Sequence, residues 1–229
     1  MLQDNPRIVL IHATPLSIAP IADAFAAAWP EPELVNLLDD ALSRDRARDG
    51  VLTEAMCLRF ERLGDYATEI RAQAILFTCS AFGPAIERVQ QRLPIPVLKP
   101  NEAMLAAALQ HGGRIGLVAT FAATIDSMGE EIRALARSRG VELELHTRLA
   151  SGAMAALAGG AAAEHDRLIA AAAATLPAVD ALILAQFSMA RAQAALRPQT
   201  PCPVLTAPDS AVARLRELMR FAPENAKGG

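Results

Sequence analysis

The sequence predicts an α/β fold of two pseudo-symmetric lobes, each a parallel sheet covered by helices, with an active site in the cleft between them. Three observations predict it. Short apolar runs alternate with longer amphipathic stretches along the 229 residues, the pattern of buried parallel strands joined by crossover helices. The chain also repeats itself: RIVLIHATPLSI begins at Arg7 and RIGLVATFAATI at Arg114, an offset of 107. AILFTCSAFGPA from Ala74 and ALILAQFSMARA from Ala181 keep that offset, as do PIPVL from Pro94 and PCPVL from Pro201. A self-similarity of this length reads as duplication of one α/β unit rather than a short-period solenoid. Finally, no linker rich in Gly, Ser or Pro divides the halves, so they are expected to pack closely. The division is residues 1–100 with 207–229 for the first lobe and 101–206 for the second.

The expected strands are Ile8 to Ile11, Ala74 to Thr78, Val97 to Leu98, Ile115 to Ala119, Ala181 to Ala185 and Val204 to Leu205. Helices fill the spaces. Ser17 to Trp29 follows Thr14-Pro15, Asp49 to Ala72 holds a long amphipathic stretch, and PAIERVQQRL starts another after Gly83. Glu102 to Gln110 ends at Gly112-Gly113, Ile125 to Arg139 at Gly140, Glu164 to Leu176 before Pro177, and Asp209 to Arg220 before Pro223, each a recognised stop signal. The tail PENAKGG is expected to fray.

At 52% hydrophobic the chain can bury a substantial core. A net charge of −3, a pI near 5.8 and the lack of a basic run leave no footprint for nucleic acid or an anionic membrane. A small molecule is the expected partner. The N-terminus has no charged region before a long apolar stretch, so neither a signal peptide nor a membrane span is expected. Three cysteines, Cys57, Cys79 and Cys202, without CxxC spacing, indicate reduced thiols in the cytoplasm rather than a disulfide framework or zinc site. No GxGxxG, GxxxxGK[ST] or HExxH motif occurs, consistent with chemistry that needs no cofactor and no metal.

Ligands of open parallel sheets bind beyond the carboxyl ends of the strands. The residues there are His12 to Ser17, Thr78 to Gly83, Ala119 to Thr124, and Ala185 to Ser188. Cys79 is the strongest candidate: a thiol at a helix start would have its thiolate stabilised and its pKa lowered. Backbone N–H groups there, at Ser80 and Ala81, could with the Ser80 hydroxyl hold a carboxylate or enediolate. The alternative is a buried cysteine acting as a small hydrophobe. Cys57 and Cys202 read as packing residues, and His111, His146 and His165 as solvated. Thr14, Ser17, Thr120, Thr124 and Ser188 are short hydroxyls that either bind a substrate carboxylate or cap helices. Phe82, Phe121, Phe187 and Met189 read as cleft-lining, which suits an apolar or aromatic substituent. Arg191, just beyond the last of these segments, is the arginine that could grip a distal carboxylate.

IHATPLSIAPI, TCSAFGP, PIPVLKPNEAM, RIGLVATFAATIDSM and DALILAQFSMA together resemble the aspartate/glutamate/hydantoin racemase superfamily, which includes arylmalonate decarboxylase and maleate isomerase. The resemblance implies two α/β lobes facing one cleft, a homo-oligomer, and a small carboxylic acid or hydantoin-like substrate. In the family's racemases one cysteine from each half flanks the acidic carbon. The first carries over to Cys79. The second falls on Gln186, which is also the counterpart of Cys79 at the repeat offset, and an amide has no proton to exchange near neutral pH.

The leading expectation is racemase-like proton transfer at the carbon alpha to a carboxylate or carbonyl, with Cys79 as thiol acid/base. His12 is either a second acid/base or a side chain hydrogen-bonded within its lobe. The alternatives are a single-cysteine decarboxylase of a substituted malonate and an inactive protein that binds a small acid.

Overall fold

The computed structural model describes residues 5–221, so the tail PENAKGG lies outside the described residues. The chain divides into two compact units, one drawn from Met1–Pro100 and Ala211–Gly229, the other from Asn101–Ser210.

The first lobe holds a four-stranded parallel sheet in the order β2-β1-β3-β4, with β1 at Arg7–His12, β2 at Glu33–Leu38, β3 at Ala74–Phe77 and β4 at Val97–Leu98. Its helices are α1 (Ile18–Ala28), α2 (Ala41–Asp49), α3 (Glu54–Glu69) and α4 (Gly83–Arg92). The second lobe repeats the order as β6-β5-β7-β8, with β5 at Arg114–Ala119, β6 at Glu144–Leu149, β7 at Ala181–Leu184 and β8 at Val204–Thr206. Around it lie α5 (Glu102–His111), α6 (Ala122–Arg139), α7 (Ala153–Ala158), α8 (Ala162–Ala173), the single turn α9 (Gln193–Leu196) and the start of α10 (Ala207–Phe221). The end of α10 belongs with the first lobe, where Arg216 donates to the Ala28 carbonyl at 2.9 Å.

The repeat is physical in the inner strands: Ile8 pairs with Ala74 as Ile115, its counterpart, pairs with Ala181. These strands are buried on both faces, every residue of β3 and β7 included. The strand starts repeat even a detail. The Arg7 amide donates to Gln73 at 3.0 Å, and the Arg114 amide to Asp180, the counterpart of Gln73, at 2.9 Å. The outer strands break the offset, since β1 starts against Glu33 and β5 against Glu144, which lies beyond the position that the repeat alone would give. The longer α6 inserts the extra residues, and the shorter path from Leu149 to Ala181 takes them back.

β2 and β6 were not foreseen because ELVNLL and ELHTRL sit at sheet edges and are only half-buried, so they lack the continuous apolar run of a central strand. The stretch Asp49 to Ala72 starts later than its amphipathic pattern suggested. Gly50, at φ 70°, closes α2, and the Thr53 hydroxyl then caps α3 by accepting from the Met56 amide at 3.3 Å.

The two cores are built differently. In the first lobe Phe60 stacks on Phe77, with ring centroids 5.2 Å apart, and meets Phe82 at 4.7 Å, a geometry that adds to area burial. Gly64 lets α3 lie against α4, since a Cβ there would come within 2.7 Å of Val89 Cγ1. The second core is aliphatic, around Val118, Ile169, Leu182, Leu184, Met189 and Leu196.

Phe60 is 1% exposed, so Phe60→Ala is expected to cost about 3–5 kcal/mol. Urea unfolding followed by fluorescence of Trp29, the one tryptophan and a residue of the same lobe, measures it.

Candidate active site

The first half-site begins with the ladder between β1 and β3. Ile11 pairs with Phe77, and the Thr78 amide donates to the Ile11 carbonyl at 3.0 Å, so His12 stands beside Thr78 as both strands end. His12 is fully buried. Its Nδ1 lies 2.8 Å from Thr78 Oγ1 and 3.0 Å from Ser17 Oγ, and its Nε2 lies 2.9 Å from Asn36 Oδ1. With the ring protonated on Nε2, that N–H donates to the Asn36 carbonyl, Thr78 donates to Nδ1, and Ser17 donates to the Thr14 carbonyl at 3.1 Å. Burial outweighs the Asn36 hydrogen bond and pushes the His12 pKa down, so the ring is neutral.

Cys79 follows Thr78 and is partly buried. The expected lowering of its pKa is overturned: burial pushes the thiol up, against opposing hydrogen bonds from the Ala81 amide and the Ser43 hydroxyl. The reason is local. After Cys79 comes only a short 3-10 turn, Ser80–Phe82, and α4 starts at Gly83, so desolvation is met by two donors rather than by a helix terminus. Ser80 and Ala81 are both exposed. Thr14 accepts weakly from the Leu16 amide at 3.4 Å, while Ser17 is buried and caps nothing with its side chain. Phe82 is buried in the core and does not line a cleft.

Sequence reading missed Ser43 and Asn36. Ser43, on the polar helix α2, donates to the Ala13 carbonyl at 2.7 Å and reaches the Cys79 sulfur. Asn36 lies on the edge strand β2. Neither sits just after an apolar run, and the alternation of polar and apolar residues in ELVNLL was the available signal.

The second half-site uses the same backbone with other side chains. The Ala185 amide donates to the Val118 carbonyl at 3.0 Å, repeating the Thr78 contact at the same offset. Gln186 Oε1 accepts from the Thr120 amide at 3.2 Å, and its Nε2 donates to Thr124 Oγ1 at 3.1 Å. Thr120 is 8% exposed, and its hydroxyl is buried without a protein partner. Ser188 is half-buried. Phe121 is exposed, whereas Phe187 and Met189 are buried, so Met189, like Phe82, is a core residue. Arg191 is not free for a substrate, because its Nε donates to Asp166 Oδ1 at 2.9 Å. That same oxygen meets His165 Nδ1 at 2.7 Å. His165 is fully buried, which corrects its reading as solvated: α8 places it inward, toward the turn Phe187–Ala192 that carries Arg191. His111 is exposed, and His146 pairs with Glu144 at 2.9 Å.

A cavity of about 270 Å³ lies elsewhere in this lobe, lined by Leu176, Leu182, Leu196 and Cys202 among others, toward the amino ends of β7 and β8. Among the described residues no three His, Cys, Asp or Glu side chains cluster to hold a metal, and no helix is long and apolar enough to cross a membrane.

Two parallel sheets of one strand order, with Cys79 after the third strand of one and Gln186 after the third strand of the other, define a duplicated α/β protein. The chain belongs to the Asp/Glu/hydantoin racemase family, whose model matches residues 1–215. The fold is that of an aspartate racemase homologue from Pyrococcus horikoshii, with a TM-score of 0.70, 16% identity, and coverage of 93% of this chain and 99% of that one. Allantoin racemase from Klebsiella pneumoniae gives 0.69 at 16% identity over 94% and 88%. Glutamate racemase RacE1 from Bacillus anthracis gives 0.69 at 15% over 95% and 83%. No match is found among curated proteins.

The depressed pKa of His12 has a consequence for stability. Below the ordinary histidine value of about 6.5 the unfolded chain takes up a proton that the folded chain refuses. His12 therefore makes the protein lose stability as pH falls from about 6.5 toward its lower folded value. Urea titrations at pH 7.5 and 5.5, read at Trp29, should show a smaller acid loss in His12→Asn than in the parent.

Proposed function

We propose that the protein is a racemase-like enzyme that moves a proton at the carbon alpha to a carboxylate or carbonyl, with Cys79 as the thiol acid/base and no cofactor. One observation carries this reading: Cys79 and Gln186 follow equivalent strands of the duplicated fold, and the thiol is held protonated by burial. A protonated thiol can donate. The Cys79 thiolate takes the alpha proton as the C–H electron pair moves into the carbonyl to give an enediolate, and in the return step that electron pair takes the Sγ proton to re-form the C–H bond. The thiolate left behind is met by the Ala81 amide and by the Ser43 hydroxyl, which turns its one proton from the Ala13 carbonyl to the sulfur.

Gln186 does not exchange a proton in this scheme. Its Oε1 and one N–H are tied to Thr120 and Thr124, which leaves the second N–H to donate to a carboxylate oxygen. Ser80, Ala81, Thr14, Ser188 and Phe121 complete the proposed binding set, with Phe187 packed beneath. His12, whose ring nitrogens both have protein partners, acts as a positioning residue for Thr78 and hence for Cys79.

Large apolar side chains stand exposed after or at the ends of strands, Leu16 and Leu38 in one lobe and Phe121 and Leu149 in the other. With Arg191 engaged by Asp166, they favour a substrate with an apolar substituent over one with a distal carboxylate.

The single thiol favours a second reading, in which a substituted malonate loses carbon dioxide and Cys79 protonates the enediolate that remains.

A panel of aryl- and alkyl-substituted acids, malonates and hydantoins, incubated in deuterium oxide and followed by NMR and chiral chromatography, separates these readings. Deuterium entry at the alpha carbon is expected. It should fall by roughly 10²- to 10⁴-fold in Cys79→Ala, the usual worth of a general acid. Inversion identifies a racemase, exchange with retention a one-base enzyme, and carbon dioxide release the decarboxylase. Gln186→Cys is expected to add inversion. No turnover across the panel would leave a small-acid binding protein and overturn the proposal.

A further inference from the structure

Helix α2 is an unusual support for a reactive group. Its sequence, ALSRDRARD, buries only Leu42, so apolar packing does little to fix it, yet it delivers Ser43 to the Ala13 carbonyl and to the thiol. Its anchor is electrostatic. Arg59, on α3, forks onto Asp39 just after β2, with Nε at 2.8 Å from one oxygen and Nη2 at 2.5 Å from the other. Its remaining terminal nitrogen donates to Asp45 of α2 at 2.6 Å. These side chains are 25–28% exposed, shielded more than surface pairs that contribute little. A bidentate guanidinium also fixes direction as well as distance. Asp39 and Asp45 bracket the segment that contains Ser43, so one side chain secures both ends.

We infer that Arg59 is a positioning residue for Cys79: by tying Asp39 and Asp45 to α3 it holds α2, and with it the Ser43 hydroxyl, against the thiol. Arg59 acts at a distance from the loop Ser80–Phe82, through the backbone of α2. The importance of this for catalysis rests on the role proposed for Cys79, but the test reads the thiol itself and needs no substrate.

The test is alkylation of the whole protein by iodoacetamide across a pH series, with peptide mass spectrometry to separate Cys79 from Cys57 and Cys202. Release of α2 admits water to a thiol whose pKa is held up mainly by burial. Arg59→Ala is therefore expected to lower the midpoint of Cys79 labelling and to speed it roughly tenfold at neutral pH, because the thiolate is the reactive form. Arg59→Lys, which keeps the charge and loses the fork, should fall between. Asp45→Asn cuts one tie and should shift the midpoint the same way by less. Ser43→Ala removes a donor without freeing the helix and should move it upward.

Cys57, 5% exposed in the same lobe, reports general loosening. If Cys57 becomes reactive in step with Cys79, or if Cys79 in Arg59→Ala and Asp45→Asn stays within about twofold of the parent, the inference is overturned.

Discussion

The parallel pairing of β1 with β3, and of β5 with β7, is the constraint on which the rest depends. Both ladders continue one hydrogen bond past the last strand residue, to Thr78 and to Ala185. Residues after the strands are thereby brought level: Ala13 with Cys79 in one lobe, Thr120 with Gln186 in the other. A slip of one residue would turn every side chain of a fully buried strand to the opposite face, so the core that fixes the register also fixes the site. The loops need little structure of their own.

On this shared frame the halves solve the polar problem differently. The first lobe places His12 and Thr78 beneath its loop, with Ser17, and satisfies them among themselves and through Asn36. The thiol above is left with two donors. The second lobe has Ala119 and Ala185 at the positions of His12 and Thr78, so those two positions offer no polar partner. Gln186 must find its partners sideways, in the Thr120 amide and the Thr124 hydroxyl. Hydrogen bonding that stays within the scaffold of one half engages the candidate side chain Gln186 in the other.

Much of this was legible in the sequence because the inner strands are continuous apolar runs and because duplication let each half confirm the other. The repeat alone put Gln186 opposite Cys79 in the alignment, and the family resemblance gave that pairing its meaning. What escaped follows from exposure. The edge strands and α2 make their contacts through polar side chains, and Asn36, Ser43 and Arg59 act across distances in sequence that no period reveals. The aromatic residues misled for the opposite reason. Phe82 and Met189 stand next to the candidate residues in sequence, but a 3-10 turn directs them into the core. Proximity to Cys79 in sequence likewise suggested an activated thiol, whereas the balance of burial against two donors comes from α2 and the loop together.

Arg59 on α3 and Asp166 on α8 stand at the repeat offset from each other, each on the helix that precedes the third strand of its lobe. One is a cation between two carboxylates, and the other is a carboxylate that receives Arg191. Exchange of sequence between the halves would put a positive charge against Arg191 or a negative one against Asp39 and Asp45, and either would repel. Recombination that makes the two segments alike again is therefore opposed at this position.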